Sequence, residues 1–165
     1  MQGSQLAKDL LKTSRELVLV TKGKPRQSNL RRAVSTAYYA LFHCMSCNCA
    51  NSVIGKGKGH GKAAWRQSYR ALQHTFAKNA CDANSGKQRP ILQKFPAEIQ
   101  DFANQFYSMQ IKRHNADYDP YERFTKSAVL ADIAIAESVI TEFEKVADVH
   151  RRAFAALVLF QQPKG

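Results

Sequence analysis

Long hydrophobic runs are absent from this 165-residue chain. A membrane-spanning helix needs about 18 or more consecutive apolar residues, so the sequence predicts no such helix. The first twelve residues also lack the apolar stretch of a secretory signal, because Lys8, Asp9 and Lys12 interrupt them. We therefore expect a cytoplasmic protein.

Sequence patterns typical of β-strands are also scarce. No segment alternates β-branched and polar residues over the length of a strand, and there is no internal repeat. Only five prolines and eight glycines interrupt the chain, and 44% of its residues are hydrophobic, enough for one core. These features predict a single all-α domain over residues 1–165, an antiparallel bundle of about five helices.

The spacing of apolar residues and helix breakers places the helices. Ser4 and Ser28 are the expected N-caps of the first two helices. Asp119 and Pro120 predict a turn over residues 117–121, and the tail at 149–160 either extends the last helix or forms a short sixth one. The five predicted helices cover about residues 4–20, 28–45, 62–78, 96–113 and 125–143.

Acidic residues are few in the first part of the chain. Residues 1–94 contain 17 Lys and Arg against 3 Asp and Glu, whereas residues 95–165 contain 8 and 10. Lys and Arg that neutralise phosphates release condensed counterions, so a basic half favours a polyanionic partner. The alternative is a solvated basic surface without a ligand.

Basic residues recur every fourth position in the predicted third helix. Lys62, Arg66, Arg70 and His74 would form one cationic stripe, while Trp65 and the apolar residues after it are spaced for burial. Like charges at this spacing destabilise an isolated helix. We expect either a phosphate backbone or acidic neighbours to compensate.

Two further basic groups flank the second helix. Arg31 and Arg32 stand in its first turn, where positive charge opposes the helix dipole, so we expect them to meet an anion. The loop at residues 55–62, GKGKGHGK, does not fit a P-loop, because position 56 is not glycine and no Ser or Thr follows Lys62. It is a cationic loop that contacts phosphate through Lys56 and Lys58, or a plain linker.

Three of the four cysteines lie in one six-residue segment, residues 44–49, at the end of the second helix. Cys44, Cys47 and Cys49 follow His43 in a pattern that superficially resembles a metal knuckle. A structural zinc site needs four converging ligands, usually from turns. Reduced thiols that pack as small hydrophobes are the favoured interpretation, with Cys81 as the fourth.

Two segments about eighty residues apart resemble the HEPN superfamily. Residues 31–43 read RRAVSTAYYALFH, and residues 113–120 read RHNADYDP. The resemblance covers most of the chain from the second to the fifth predicted helix. It implies a helical bundle that dimerises and, in many members, metal-independent cleavage of RNA in a cleft where two copies of the motif face each other.

The chemistry explains these residue types. Cleavage by the RNA's own 2′-hydroxyl needs a base, an acid and a group that stabilises the anionic phosphorane. Histidine carries protons near neutral pH, and arginine holds phosphate with two hydrogen bonds. No metal or other cofactor is needed.

The chain departs from the family signature at its end. The signature opens with Arg and a polar residue and closes with His after four to six intervening residues. Arg113 and His114 match the opening, but Tyr118, Asp119 and Pro120 occupy the positions of the closing histidine. Tyrosine, with an ordinary pKa near 10, is a poor base at neutral pH.

The resemblance implies a module that binds RNA or a nucleotide as a homodimer. One alternative is a metal-independent endoribonuclease of toxin or defence type that uses Arg113 and His114, with Asp117 orienting one of them. Another is a non-catalytic partner subunit of a nucleotidyltransferase or toxin–antitoxin complex. The residues assigned to phosphate are Arg31, Arg32, Lys56, Lys58, Lys62, Arg66 and Arg70.

Several of these residues also have ordinary structural interpretations. Arg113 suits the C-terminal end of a helix, and Asp117 suits turn chemistry. His43 is either a core histidine or a catalyst. Tyr38 and Tyr39 are expected to line the core and the dimer contact.

Overall fold

The computed structural model describes residues 2–56 and 61–163. All regular secondary structure within these ranges is helical, which confirms the all-α prediction. The helices are α1 (Gln2–Leu19), α2 (Gln27–Val53), α3 (Lys62–Arg70), α4 (His74–Ala80), α5 (Arg89–Leu92), α6 (Ala97–Tyr118), α7 (Lys126–Lys145) and α8 (Asp148–Leu159). None of the described helices is long and apolar enough to cross a membrane.

Helix α2 occupies the centre of the bundle. Its contacts reach α1, α3, α6, α7 and α8. Small buried residues such as Ala33, Ala37 and Ala40 allow neighbouring helices to approach closely. The Ser14 hydroxyl of α1 donates a hydrogen bond of 2.7 Å to the carbonyl oxygen of Ala33. Side chains on α2 are therefore held in place by the helices packed around it.

The C-terminal helices close the core. Phe102 of α6, Phe143 of α7 and Phe154 of α8 are all buried, and the Phe102 and Phe143 ring centroids lie 4.5 Å apart. The tail is thus a separate helix that docks on the bundle through Phe154. Thr125 caps α7 by accepting a hydrogen bond of 3.2 Å from the Ala128 backbone nitrogen, where the sequence predicted that helix to begin.

Two predicted helix starts are wrong. Helix α1 already includes Gln2, so Ser4 lies inside it. The N-cap of α2 is Arg26, which makes no side-chain cap bond, and Ser28 falls in the first turn. The break before Pro120 is confirmed, because Asp119 has extended backbone angles and α6 ends at Tyr118.

The predicted third helix is split. Helix α3 ends at Arg70, and Gln73 is extended before α4 begins at His74. The break turns the chain so that Leu72 and Ala77 become buried. His74 therefore belongs to a different helix from Lys62, Arg66 and Arg70, and the predicted four-residue stripe is wrong at its last member.

All four cysteines are free and buried. Burial raises the pKa of the Cys49 thiol to about 12 and raises that of Cys44 and Cys81 as well. Neutral thiols in these positions pack as small apolar groups. Across the described residues, no three His, Cys, Asp or Glu side chains are grouped to hold a metal ion.

Arg31 meets backbone carbonyls instead of the anion expected for it. Its two terminal nitrogens donate hydrogen bonds of 2.8 Å to the Ala116 oxygen and 2.6 Å to the Glu122 oxygen. Its guanidinium carbon lies 5.9 Å from the centre of the Phe124 ring. Arg31 thus joins α2 to the end of α6 and to the segment that follows it.

Arg31→Ala should destabilise the protein, whereas its neighbour Arg32→Ala should not. Two partly buried hydrogen bonds to a charged donor would be lost, which lowers the free energy of unfolding by about 2–4 kcal/mol. Arg32 is exposed, and Arg32→Ala removes the same charge from the same helix turn. The free energy of unfolding of this variant should therefore stay within about 0.5 kcal/mol of that of the wild type. Urea unfolding measures both, and equal values would contradict the role of Arg31.

Candidate functional site

Arg113 lies where α6 crosses the middle of α2. Its side chain is only 14% exposed. The guanidinium carbon is 5.2 Å from the centre of the Tyr38 ring and 6.0 Å from that of Tyr39. A guanidinium over aromatic rings is stabilised by the negative faces of those rings. The residue that opens the family-like motif is therefore held rigidly, inside a helix and not at its end.

The charge of Arg113 is incompletely paired. Its nearest carboxylate is that of Asp117, one helical turn further on, at 3.3 Å from one terminal nitrogen. Its Nε is buried and has no hydrogen-bond partner among the described residues. Asp117 thus contacts Arg113, one of the two partners expected for it, and lies in α6 rather than in a turn.

Two histidines, His74 of α4 and His43 of α2, neighbour the tyrosines on which this arginine packs. The Tyr38 hydroxyl lies 2.6 Å from Nδ1 of His74, whose ring stacks on Phe42 with centroids 4.0 Å apart. His43 makes the matching contact on α3, with 2.6 Å between its Nδ1 and the Tyr69 hydroxyl. Each imidazole is therefore anchored through one nitrogen, which leaves the other available.

Burial favours the neutral form of both histidines. It lowers the pKa of His43, and it lowers that of His74 with help from the nearby positive charge of Arg113. Burial raises the pKa of Tyr69 to about 12 and also raises that of Tyr38, against the opposing charge of Arg113. The tyrosines keep their protons, so each hydroxyl can donate to a bare Nδ1 or accept from a protonated one, depending on the imidazole tautomer.

Partly exposed aromatic rings continue from this centre along α2 and α3. Tyr39 and His43 lie one turn apart on α2, and the His43 ring stacks on Tyr69 at 5.8 Å. Tyr69 in turn stacks on Trp65 at 5.0 Å. The sequence predicted burial for Trp65 and Tyr69, but α3 has no fully buried residue. These four partly exposed rings, Tyr39, His43, Tyr69 and Trp65, form a row on the surface that is called the aromatic ladder below.

Cations border this ladder. Lys62, Arg66 and Arg70 are exposed along α3, and Arg32 is exposed on α2, about two turns before Tyr39. Residues 17–81, which include all of α2 and α3, contain 11 Lys and Arg and no Asp or Glu. Helices α2 and α3 therefore add positive charge and no carboxylate to the surroundings of Arg113, whose carboxylate partner Asp117 comes from α6.

Among the described residues, the others that the sequence predicted for catalysis or phosphate binding do not contact the Arg113 cluster. The ring of exposed His114 lies 5.0 Å from that of Tyr118, and no described contact joins His114 to the Arg113 cluster. Lys56 is paired with Asp148 of α8 at 3.2 Å. Lys58 lies outside the described residues.

Sequence reasoning missed the role of His74 and its link to Tyr38. The two residues are 36 positions apart, and His74 seemed to belong to a surface stripe. One signal was available, because a tyrosine in the middle of a buried helix needs a hydrogen-bond partner for its hydroxyl. The sequence alone does not say which residue supplies it.

Comparison of the chain with protein-family models, with curated proteins and with solved structures gives no match. The site therefore has to be interpreted from its own geometry.

Acid should destabilise the protein partly through His74. The pKa of His74 is lowered in the folded state, so the unfolded chain takes up the proton first as pH falls below about 6.5. The free energy of unfolding should thus decrease more between pH 7 and pH 5 in the wild type than in His74→Gln. Urea unfolding at each pH measures this, with exposed His114→Gln as the control expected to follow the wild type. Parallel curves for the wild type and His74→Gln would contradict the assignment.

Proposed function

We propose that this chain binds RNA or a nucleotide, with Arg113 as the central phosphate contact. The observation that carries this proposal is the state of Arg113, which is held between two tyrosine rings with one loose carboxylate partner and an unpaired, buried Nε. A buried charge without full pairing is costly. A phosphate matches the guanidinium fork and would supply the missing charge.

The surroundings of Arg113 support a nucleic acid over a simple anion. Nucleobases stack on partly exposed aromatic side chains beside a cationic path for the backbone. Tyr39, Tyr69 and Trp65 provide such rings, and the α3 cations border them. The resemblance of residues 31–43 and 113–120 to HEPN domains favours RNA over DNA.

Binding of a fluorescent single-stranded RNA should weaken about 10-fold or more in Arg113→Ala. The variant loses hydrogen bonds between charged groups, each worth about 1.5–3 kcal/mol. Arg152→Ala, an exposed arginine on α8, is the control with the same charge change and should bind almost normally. Fluorescence anisotropy measures the affinities, and circular dichroism checks that both variants are folded.

The cations of α3 should govern the salt dependence of binding. Replacing Lys62, Arg66 and Arg70 together with Ala should reduce the slope of log affinity against log salt by about 2, since each phosphate contact on a single strand contributes about 0.7. Binding that is undetectable in the wild type, or independent of salt, would exclude the proposed function. An unchanged slope in the triple variant would place the backbone elsewhere.

A second candidate function is metal-independent cleavage of RNA. It is favoured by one specific observation, the presence of two histidines next to the tyrosines that pack against Arg113, with burial lowering the pKa of each. Histidines of this kind perform proton transfer near neutral pH. They would take the place of the closing histidine of the family signature, which is missing from the residues after Arg113.

Cleavage of mixed RNA in EDTA should disappear in Arg113→Ala and persist in His114→Ala. Arg113 would stabilise the charged phosphorane, whereas His114 lies outside the cluster. Gel analysis of the RNA products measures both, with binding titrated on the same samples. Loss of cleavage in His114→Ala, with Arg113→Ala active, would reverse the assignment.

A further inference from the structure

We infer that His43 and His74 complete the Arg113 phosphate site within one chain and act as its two proton-transfer groups. This inference rests on the second candidate function. It assigns the reaction to side chains of α2, α4 and α6 of the same copy, whereas the resemblance implies a cleft in which two copies face each other.

Tyr39 is the ring around which the three groups converge. The Arg113 guanidinium carbon lies 6.0 Å from its centre, and the His74 and His43 rings lie at 6.0 and 6.3 Å. Tyr38, directly beneath Arg113, holds His74 by its hydroxyl. Arg113, His74 and His43 thus all neighbour one ring, and a phosphate seated on Arg113 joins the cluster that contains both imidazoles.

The two tyrosine hydroxyls fix which imidazole nitrogen faces the ligand. Tyr38 occupies Nδ1 of His74, and Tyr69 occupies Nδ1 of His43. Only Nε2 of each ring is left for substrate. A hydroxyl can donate to a bare Nδ1 or accept from a protonated one, so either protonation state of the ring keeps its anchor. Tyr38 and Tyr69 are thus positioning residues.

The reaction that fits this arrangement is transesterification at the RNA phosphate. In the neutral His74 tautomer that carries its proton on Nδ1 and donates it to the Tyr38 oxygen, Nε2 takes the 2′-hydroxyl proton as the 2′-oxygen forms a bond to phosphorus. The bond between phosphorus and the 5′-oxygen breaks, and Nε2 of protonated His43 gives its proton to that oxygen. The products are a 2′,3′-cyclic phosphate and a 5′-hydroxyl, with no metal, oxidant or added water consumed.

The order of the two histidines follows from their distance to positive charge. His74 contacts Tyr38 directly under Arg113, and the charge of Arg113 disfavours its protonation. His43 is anchored on α3 instead, through Tyr69, and its pKa is lowered by burial alone. His74 is therefore assigned as the base and His43 as the acid.

Complementation between variants tests whether one chain holds the site. His43→Ala and His74→Ala should each lower the cleavage rate by about 10²–10⁴-fold. Arg113→Ala and His74→Ala chains co-expressed with different tags and purified through both tags should be as inactive as either alone. Recovery of up to half of the wild-type rate would mean that one copy supplies Arg113 and the other His74, and would overturn the inference.

Nuclear magnetic resonance tests the site without cleavage. Uridine 3′-monophosphate should shift the imidazole signals of His43 and His74 and raise the pKa of His74, and both effects should vanish in Arg113→Ala. Exposed His150 is the internal control. A shift confined to His114, or no shift at either histidine, would overturn the one-chain site. If the wild type does not cleave but shows these shifts, cleavage as a function fails and the phosphate site stands.

The pH dependence of the cleavage rate distinguishes a positioning role of Tyr69 from a purely structural one. Tyr69→Phe keeps the ring but removes the anchor of His43, so the alkaline limb of the pH–rate profile, which reports deprotonation of the general acid, should move. A fall in stability with an unchanged profile would assign Tyr69 a purely structural role.

Discussion

The contact on which the site depends is the packing of the Arg113 guanidinium against the buried Tyr38 ring. Tyr38 belongs to the central helix α2, Arg113 to α6, and the Tyr38 hydroxyl reaches His74 at the start of α4. Three helices are thus joined at one aromatic ring that is 0% exposed. A shift of any of them would move the arginine relative to the histidine, so the rigidity of the core is transmitted directly to the polar groups.

Arg31 and Arg113 show how the same side chain serves different purposes on neighbouring helices. Arg31 is satisfied by two carbonyl oxygens at 2.8 and 2.6 Å, and it closes the end of α6. Arg113 has a single contact of 3.3 Å to a carboxylate and an unpaired Nε. Buried polar groups are almost always satisfied in native proteins, so this unpaired nitrogen is the observation on which the proposed phosphate contact rests. The contrast between the satisfied Arg31 and the incompletely paired Arg113 supports the proposed phosphate contact more strongly than the net charge of the chain does.

The sequence predicts well what local chemistry decides. Pro120 ends α6 because the residue before a proline avoids helical angles, and Thr125 begins α7 because its hydroxyl caps the backbone. The split between α3 and α4 could not be predicted in this way, since the residues around Gln73 are compatible with a helix. The chain turns there because burying Leu72 and Ala77 against the bundle outweighs helix continuity. Long-range packing also brings His74 to Tyr38. No rule based on the spacing of residues along the sequence predicts this contact.

The acidic residues of the second half explain why the positive face stays positive. Glu137 pairs with Arg15 at 2.7 Å, Glu144 with Lys8 at 3.9 Å and Asp148 with Lys56 at 3.2 Å. These carboxylates meet the cations of α1 and of the residue just beyond α2, so they are absent from the surface of α3. Exposed ion pairs of this kind add little stability. Their consequence is electrostatic, because they neutralise cations on the flank of the bundle, whereas Arg32 and the cations of α3 have no ion pair among the described residues.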